Sequence, residues 1–181
     1  MIEQQCITTT RVWLESVVIG LNLCPFAKRE LERGSIRMVV STKTAVESCL
    51  LALIDECQRL DSNETIETTL LIFANAFKDF DDYLDCVGMA EALLSDQGYD
   101  GVYQLASFHP DYCFDGVPID DAANYTNRSP YPMLHLLREA SLEQAIAGYP
   151  EPELIPERNI KLTRQLGLAH MQALLAACLT S

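Results

Sequence analysis

Two residues carry reactive side chains directly before a proline, Cys24-Pro25 and His109-Pro110. Proline has no N–H, so it is tolerated at the first position of a helix, and Cys24-Pro25 is expected to form the N-cap and first position of a short helix. A thiol at that place meets unpaired N–H groups and the positive end of the helix dipole, both of which favour the thiolate. Lys28 and Arg29 follow one turn along. The bland alternative is a buried thiol, whose acidity falls in apolar surroundings. Pro110 holds the His109 backbone extended, which would stand its ring at a sheet edge where it can titrate near neutral pH. Cys24 as nucleophile or redox thiol, with His109 as general base or ion-pair partner, is therefore one chemistry to weigh. A structural histidine bonded to a loop carbonyl is the other reading of His109.

Around His109 the chain is rich in polar and aromatic groups. From His109 to Arg128 there is a stretch of nearly twenty residues with no clear element, carrying Asp111, Tyr112, Cys113, Phe114, Asp115, Asp120, Asp121, Asn124, Tyr125 and Asn127. A loop of that length in a compact domain is usually functional or disordered, and this composition favours an ordered, functional one. Asn127-Arg128-Ser129-Pro130 would place a guanidinium beside a capped helix N-terminus, a receptor for phosphate or carboxylate. Asn75, Asp111, Tyr112, Asn127, Arg128 and Ser129 are thus the candidate ligand-binding residues, for a small and anionic molecule. A metal is a further option, with His109 and Cys113 four residues apart and His135 or Cys24 as additional ligands. No spacing matches an established zinc signature, and the residues name no cofactor. Met89 and Met133 are expected to do no more than pack in the core, and His170 is expected mid-helix as a partly buried structural residue.

The elements that must position these groups are legible from periodicity. Leu14, Val17, Val18 and Leu21 recur as on an amphipathic helix, ending near Gly20–Asn22. Gly34 should close the short helix after Cys24. Three apolar runs of strand length follow, Ile36–Val40, Thr69–Ala74 and Val102–Phe108. Between the first two, Thr44 and Glu47 suggest a capping box, with Cys49, Leu50, Leu53 and Cys57 on one face. Between the second and third, Asp79 can cap a helix with Phe80, Tyr83, Leu84, Val87 and Leu94 inward and Gly98 as its stop. Strand and helix alternate, which predicts an α/β fold with a small three-stranded, mainly parallel sheet, crossover helices, and N- and C-terminal helices. Ligands in such sheets bind beyond the carboxyl ends of the strands, where Ser41, Thr42, Asn75 and His109 would sit. From Ser129 onward the chain is expected to be helical, with Ser129 capping a helix through Leu134, Leu136 and Leu137. Ser141 with Gln144 marks a second start, and Pro156 opens a last helix to about Cys178.

Composition bounds the rest. The 181 residues suit a single domain spanning the whole chain, with 49% hydrophobic and 22% charged residues. Net charge is −13, a field that opposes nucleic acid and anionic membrane surfaces, both of which are bound through Lys and Arg. No apolar run approaches the roughly 18 residues of a membrane span. The opening Met1-Ile2-Glu3-Gln4-Gln5 lacks a secretory pattern, and seven cysteines without a CxxC pair do not suggest a disulfide scaffold. Together these predict a cytoplasmic protein. Cys49, Cys57, Cys86 and Cys178 are expected to be buried hydrophobes.

With Asn22-Leu23-Cys24-Pro25-Phe26-Ala27, Phe108-His109-Pro110-Asp111-Tyr112 and Thr126-Asn127-Arg128-Ser129-Pro130-Tyr131-Pro132 in view, the chain resembles a group of bacterial proteins classed only as a domain of unknown function. The resemblance extends from about Trp13 to the last helix. It implies that Cys24, His109, Asn127, Arg128 and His135 are motif positions, and it carries no activity, substrate or cofactor. Three functions stay open at this point: an enzyme on a small polar or anionic substrate through Cys24 and His109, a metal-binding protein or metal-dependent enzyme using His109 and Cys113, and a non-catalytic interaction module.

Overall fold

A computed structural model describes residues 2–180. Met1, the first residue of the opening pentapeptide, and Ser181 lie outside them. The order of elements is α1 (Ile2–Trp13), continued by a π-helical turn at Leu14–Ile19, then α2 (Ala27–Arg33), β1 (Ile36–Ser41), α3 (Val46–Ser62), β2 (Thr68–Phe73), α4 (Phe80–Asp96) and β3 (Tyr103–Phe108). A 3-10 turn at Ala122–Thr126 leads to β4 (Met133–Arg138), α5 (Glu139–Ala147), a second 3-10 turn at Pro152–Leu154, α6 (Ile155–Leu166) and α7 (Leu168–Leu179). The fold is mixed α/β around one open sheet of four strands, ordered β1-β2-β4-β3.

The expected sheet of three mainly parallel strands is corrected here. β1 and β2 are parallel and joined by α3, but β4 lies between β2 and β3 and is antiparallel to both. The segment Ser129–Leu137, expected to be helical, supplies that strand. Two X-Pro steps, Ser129-Pro130 and Tyr131-Pro132, hold the preceding residues extended, and a short apolar run cannot be assigned by periodicity alone. In β4, Leu134 and Leu136 enter one buried cluster and Met133 the other, a spacing of two.

Alternation along the strands divides the interior into two layers. Leu71, Phe73, Leu134 and Leu136 meet Leu53, Leu60, Tyr83, Cys86 and Ala90 of α3 and α4. Leu70, Ile72 and Met133 on the opposite face meet Cys6, Trp13, Leu14, Val17 and Cys178 of the terminal helices. Cys49, Cys57, Cys86 and Cys178 are all buried, and burial pushes the Cys57 and Cys86 thiols up to about 12.

Local signals set most boundaries. Gly34 ends α2 in the left-handed conformation, at φ 68. The Asp79 carboxylate caps α4 by accepting from the N–H groups of Asp81 and Asp82. The capping box at Thr44 and Glu47 does not form, since Ala45 occupies the N-cap of α3 without a side-chain bond. Cys24 likewise precedes α2 rather than capping it, because the helix starts at Ala27 with Phe26 at its N-cap. The last helix is broken at Gly167, whose φ of 86 with ψ of 156 is open to glycine alone. On α4, Leu84 faces solvent instead of the core, 43% exposed.

One rung of the sheet is opened deliberately. The buried Tyr83 hydroxyl donates to Met133 O at 2.7 Å and accepts from Phe108 N–H at 3.0 Å, standing between two groups that register would pair directly. The chain leaving β3 is thereby aimed away from β4 and into the long loop.

Candidate functional site

His109 lies where the sequence places it, just past β3, and it is fully buried. Its Nε2 bonds to Phe77 O at 2.9 Å, and its Nδ1 accepts from Asp111 N–H at 3.0 Å. A nitrogen that accepts cannot carry the proton, so Nε2 is the donor and the ring is neutral. Burial lowers its pKa below the usual value, the Phe77 carbonyl opposing. Phe80 and Tyr83 of α4 pack on the ring at 5.1 and 5.0 Å. Both nitrogens are spent on backbone, and Phe77, whose carbonyl it holds, has a φ of 58.

Cys24 sits on the other face of the sheet, packed against the cluster that contains Leu70, Ile72 and Met133. Burial raises its pKa, partly offset by the N–H groups of Phe26 and Ala27 at the sulfur. The structure therefore does not bring Cys24 and His109 together, and the sheet itself separates them.

The remaining sequence candidates turn inward to hold the loop. Arg128 donates through Nε to Tyr112 O at 3.0 Å and through Nη2 to Ile119 O at 2.9 Å, with its guanidinium 4.6 Å from the Tyr125 ring centre. Asn127 Nδ2 donates to Ser107 O at 3.1 Å. Ser129, expected to cap a helix, instead donates to Tyr131 O at 2.7 Å, so no helix N-terminus stands beside Arg128. Asp111 contributes its N–H to His109, and the Tyr112 ring lies between Phe80 and Phe114. Asn75 Nδ2 donates to Thr42 O at 3.1 Å, tying together the loops after β1 and β2. Cys113 donates to Val117 O at 3.3 Å, and His135 Nε2 is bonded to Thr68 Oγ1 within the sheet. Among the described residues, no three His, Cys, Asp or Glu side chains are grouped to hold a metal ion. The polar side chains of the loop are spent on backbone groups of the loop and its neighbours. Trp13 Nε1 and Asn124 complete this framework, donating to Arg128 O and Pro118 O. Asn124 was legible only as one polar residue of the loop and Trp13 not at all, since an isolated Trp or Asn gives no signal for such a role.

An accessible recess lies elsewhere, at the β1 edge. Ser35 O and Ser41 O accept from residues at the ends of β2, so the odd-numbered residues of β1 pair with β2. Parallel pairing then turns the N–H and C=O groups of Ile36, Met38 and Val40 outward. Among the described residues these groups have no partner, and β1 has a neighbour on one side only. At the opposite edge, Asn127 covers the Ser107 carbonyl of β3. Beside β1 runs an open groove of about 530 Å³ against α3, lined by Arg37, Val39, Lys43, Leu51, Glu56 and Arg59 among others. Leu51 is 65% exposed in it. Arg37 is held by the buried Glu56 carboxylate at 2.6 and 3.0 Å, which draws its stem along the groove wall and raises the Arg37 pKa. The sequence reading passed over this edge because exposure of a strand depends on strand order, which was not legible.

A family model described as "Protein of unknown function (DUF1415)" matches residues 5–173, and the chain belongs to that family. No curated protein and no solved structure matches it. No helix among the described residues is long and apolar enough to cross a membrane.

Proposed function

For this member of the family, we propose a non-catalytic interaction module that binds an extended polypeptide segment along β1. The observation that carries this reading is the β1 edge, with three outward residues unpaired and an open groove beside it. Unpaired edge groups are a template for an added strand, where main-chain bonds give affinity and flanking recesses give specificity. The ordered loop that follows His109 then serves as scaffold, holding β3, β4 and α4 in place.

The test is amide hydrogen exchange with and without a nine-residue peptide of alternating Thr and Val. In the free protein the Ile36, Met38 and Val40 amides should exchange much faster than those of Arg37, Val39 and Ser41, and peptide should slow them. Met38→Pro removes an outward N–H, which edge strands tolerate, along with a side chain packed on the terminal-helix layer, and should abolish that protection while the β1–β2 ladder stays protected. Should the three amides already be as slow as their neighbours in the free protein, the edge is not open and the proposal fails. Leu51→Asp, at an exposed position, gives a second variant that keeps the fold and should weaken binding.

A second reading, an enzyme acting on a small anionic molecule through Cys24, draws on the two N–H groups directed at its sulfur. It requires a thiolate at neutral pH. Because burial outweighs those two bonds, the alkylation of Cys24 by iodoacetamide is expected to have its midpoint above the ordinary thiol value of about 8.5. A midpoint well below that value, mapped to Cys24 by mass spectrometry, would restore the enzyme reading.

A further inference from the structure

We infer that the segment bound at the β1 edge is acidic at its two ends and apolar at its centre, an inference that rests on the edge-docking reading. The chain carries 26 acidic and 13 basic residues, yet the groove inverts that balance, with Arg37, Lys43 and Arg59 against Asp55 and Glu56. Glu56 is shared, since it pairs with Arg37 at 2.6 Å and with Arg59 at 3.6 Å, so one carboxylate serves two guanidiniums at this end of the groove, with Asp55 one helical turn before Arg59. Lys43 marks the other end and has no ion pair among the described residues. Between them on α3 lie the exposed Leu51, which offers an apolar contact, and Asp55, which disfavours a further acid at the centre.

Spacing sets the length of the segment. From Arg37 to the end of β1 at Ser41 is about 13 Å at the rise of an extended strand, and Lys43 follows two residues beyond, so a bound strand of about seven residues covers both. Its alternate side chains face α3, giving acid, apolar, apolar, acid at every second position. The overall −13 charge does not override this, because at physiological salt charges beyond about 8 Å are screened and the nearby cations dominate.

A second copy of the chain is the less suitable occupant. Antiparallel pairing of two β1 edges about Met38 would set each Arg37 opposite Val39 of the other strand, bringing the two guanidinium groups diagonally together on one face. Such a pairing brings no opposite charge to either Arg37, already held by its own Glu56, whereas an acidic strand supplies one.

The probe is a fluorescein-labelled peptide, Thr-Glu-Thr-Val-Thr-Leu-Thr-Glu-Thr, compared with the same peptide bearing Lys in place of both Glu. Fluorescence anisotropy should show the Glu peptide binding at least tenfold more tightly, and Lys43→Glu should cut that ratio several-fold. Amide shifts of Ile36, Met38 and Val40, followed by NMR in the same titrations, report whether the edge is the site. If both peptides shift those amides but the Lys form binds equally or better, the acidic inference is overturned and the edge reading stands. If neither peptide moves them, the edge reading fails and takes the inference with it. If they shift with protein concentration alone, the occupant is a second copy and the inference is overturned.

Discussion

Replacing His109 by alanine is expected to destabilise the protein by about 3–5 kcal/mol, the range seen when a large buried ring is deleted and its partners are left behind. Three losses coincide. The ring fills space between Phe80 and Tyr83, so its removal leaves a cavity in the α3–α4 layer. The Phe77 carbonyl loses its donor, and the Asp111 N–H loses its acceptor. The Phe77 loss matters most, because Phe77 sits at φ 58, a conformation a non-glycine residue keeps only while its surroundings hold it. Losing the His109 bond should therefore free the turn between β2 and α4 as well as the loop after β3.

Urea unfolding of the variant measures the loss, and hydrogen exchange at residues 75–80 and 110–114 reports the two segments. A general base would behave differently: its replacement would leave stability nearly intact and remove only reactivity. An unfolding free energy within about 1 kcal/mol of the parent, below what a buried histidine with two bonds should cost, would contradict the structural role assigned here.

How far this was legible in sequence differs by residue, and the reasons are physical. Strands β1, β2 and β3 were placed within a residue or two, since each is an apolar run bounded by helix caps or glycine. Asp79 and Gly34 did what their types and positions suggested. β4 was missed because Leu134, Leu136 and Leu137 fit a helical face about as well as a strand, and Ser129-Pro130 suits a helix start as well as an extended lead-in. That one strand stands between β2 and β3 and makes the sheet mixed rather than mainly parallel. The polar residues of the loop were legible as a group, but sequence does not reveal which way a side chain points. Arg128, Asn127 and Ser129 look like an anion receptor when turned outward, and in the structure they spend their donors on Tyr112, Ile119, Ser107 and Tyr131 carbonyls. A loop this long buries backbone that no ladder satisfies, so polar side chains near it are drawn to that task first.

Acidification should expose the same logic at His135. In the structure its Nε2 donates to Thr68 Oγ1, whose own hydroxyl donates to Leu136 O, a bond that a neutral or a charged ring can make, so burial decides the protonation state. Burial lowers its pKa to about 4, well under the usual 6.5. The sign follows from proton counting: between these values the unfolded chain binds a proton at this site and the folded chain does not, so stability falls as pH drops from 6.5 toward 4. At about 1.4 kcal/mol per unit, the loss attributable to His135 approaches 3 kcal/mol. His109, lowered in the same direction by burial, adds to it over the upper part of that window. The lowered carboxyls of Glu30 and Asp121 act later, because stability held by a depressed acid is lost only as pH falls below its ordinary range. His135→Gln keeps a donor for Thr68 and cannot titrate. Urea midpoints measured at half-unit steps from pH 7 to pH 4 should fall markedly less for this variant than for the parent, the difference growing below pH 6.5. Parallel curves for the two proteins would mean that His135 takes up its proton in the folded state, and that the sheet interior around Thr68 is far more polar than its packing indicates.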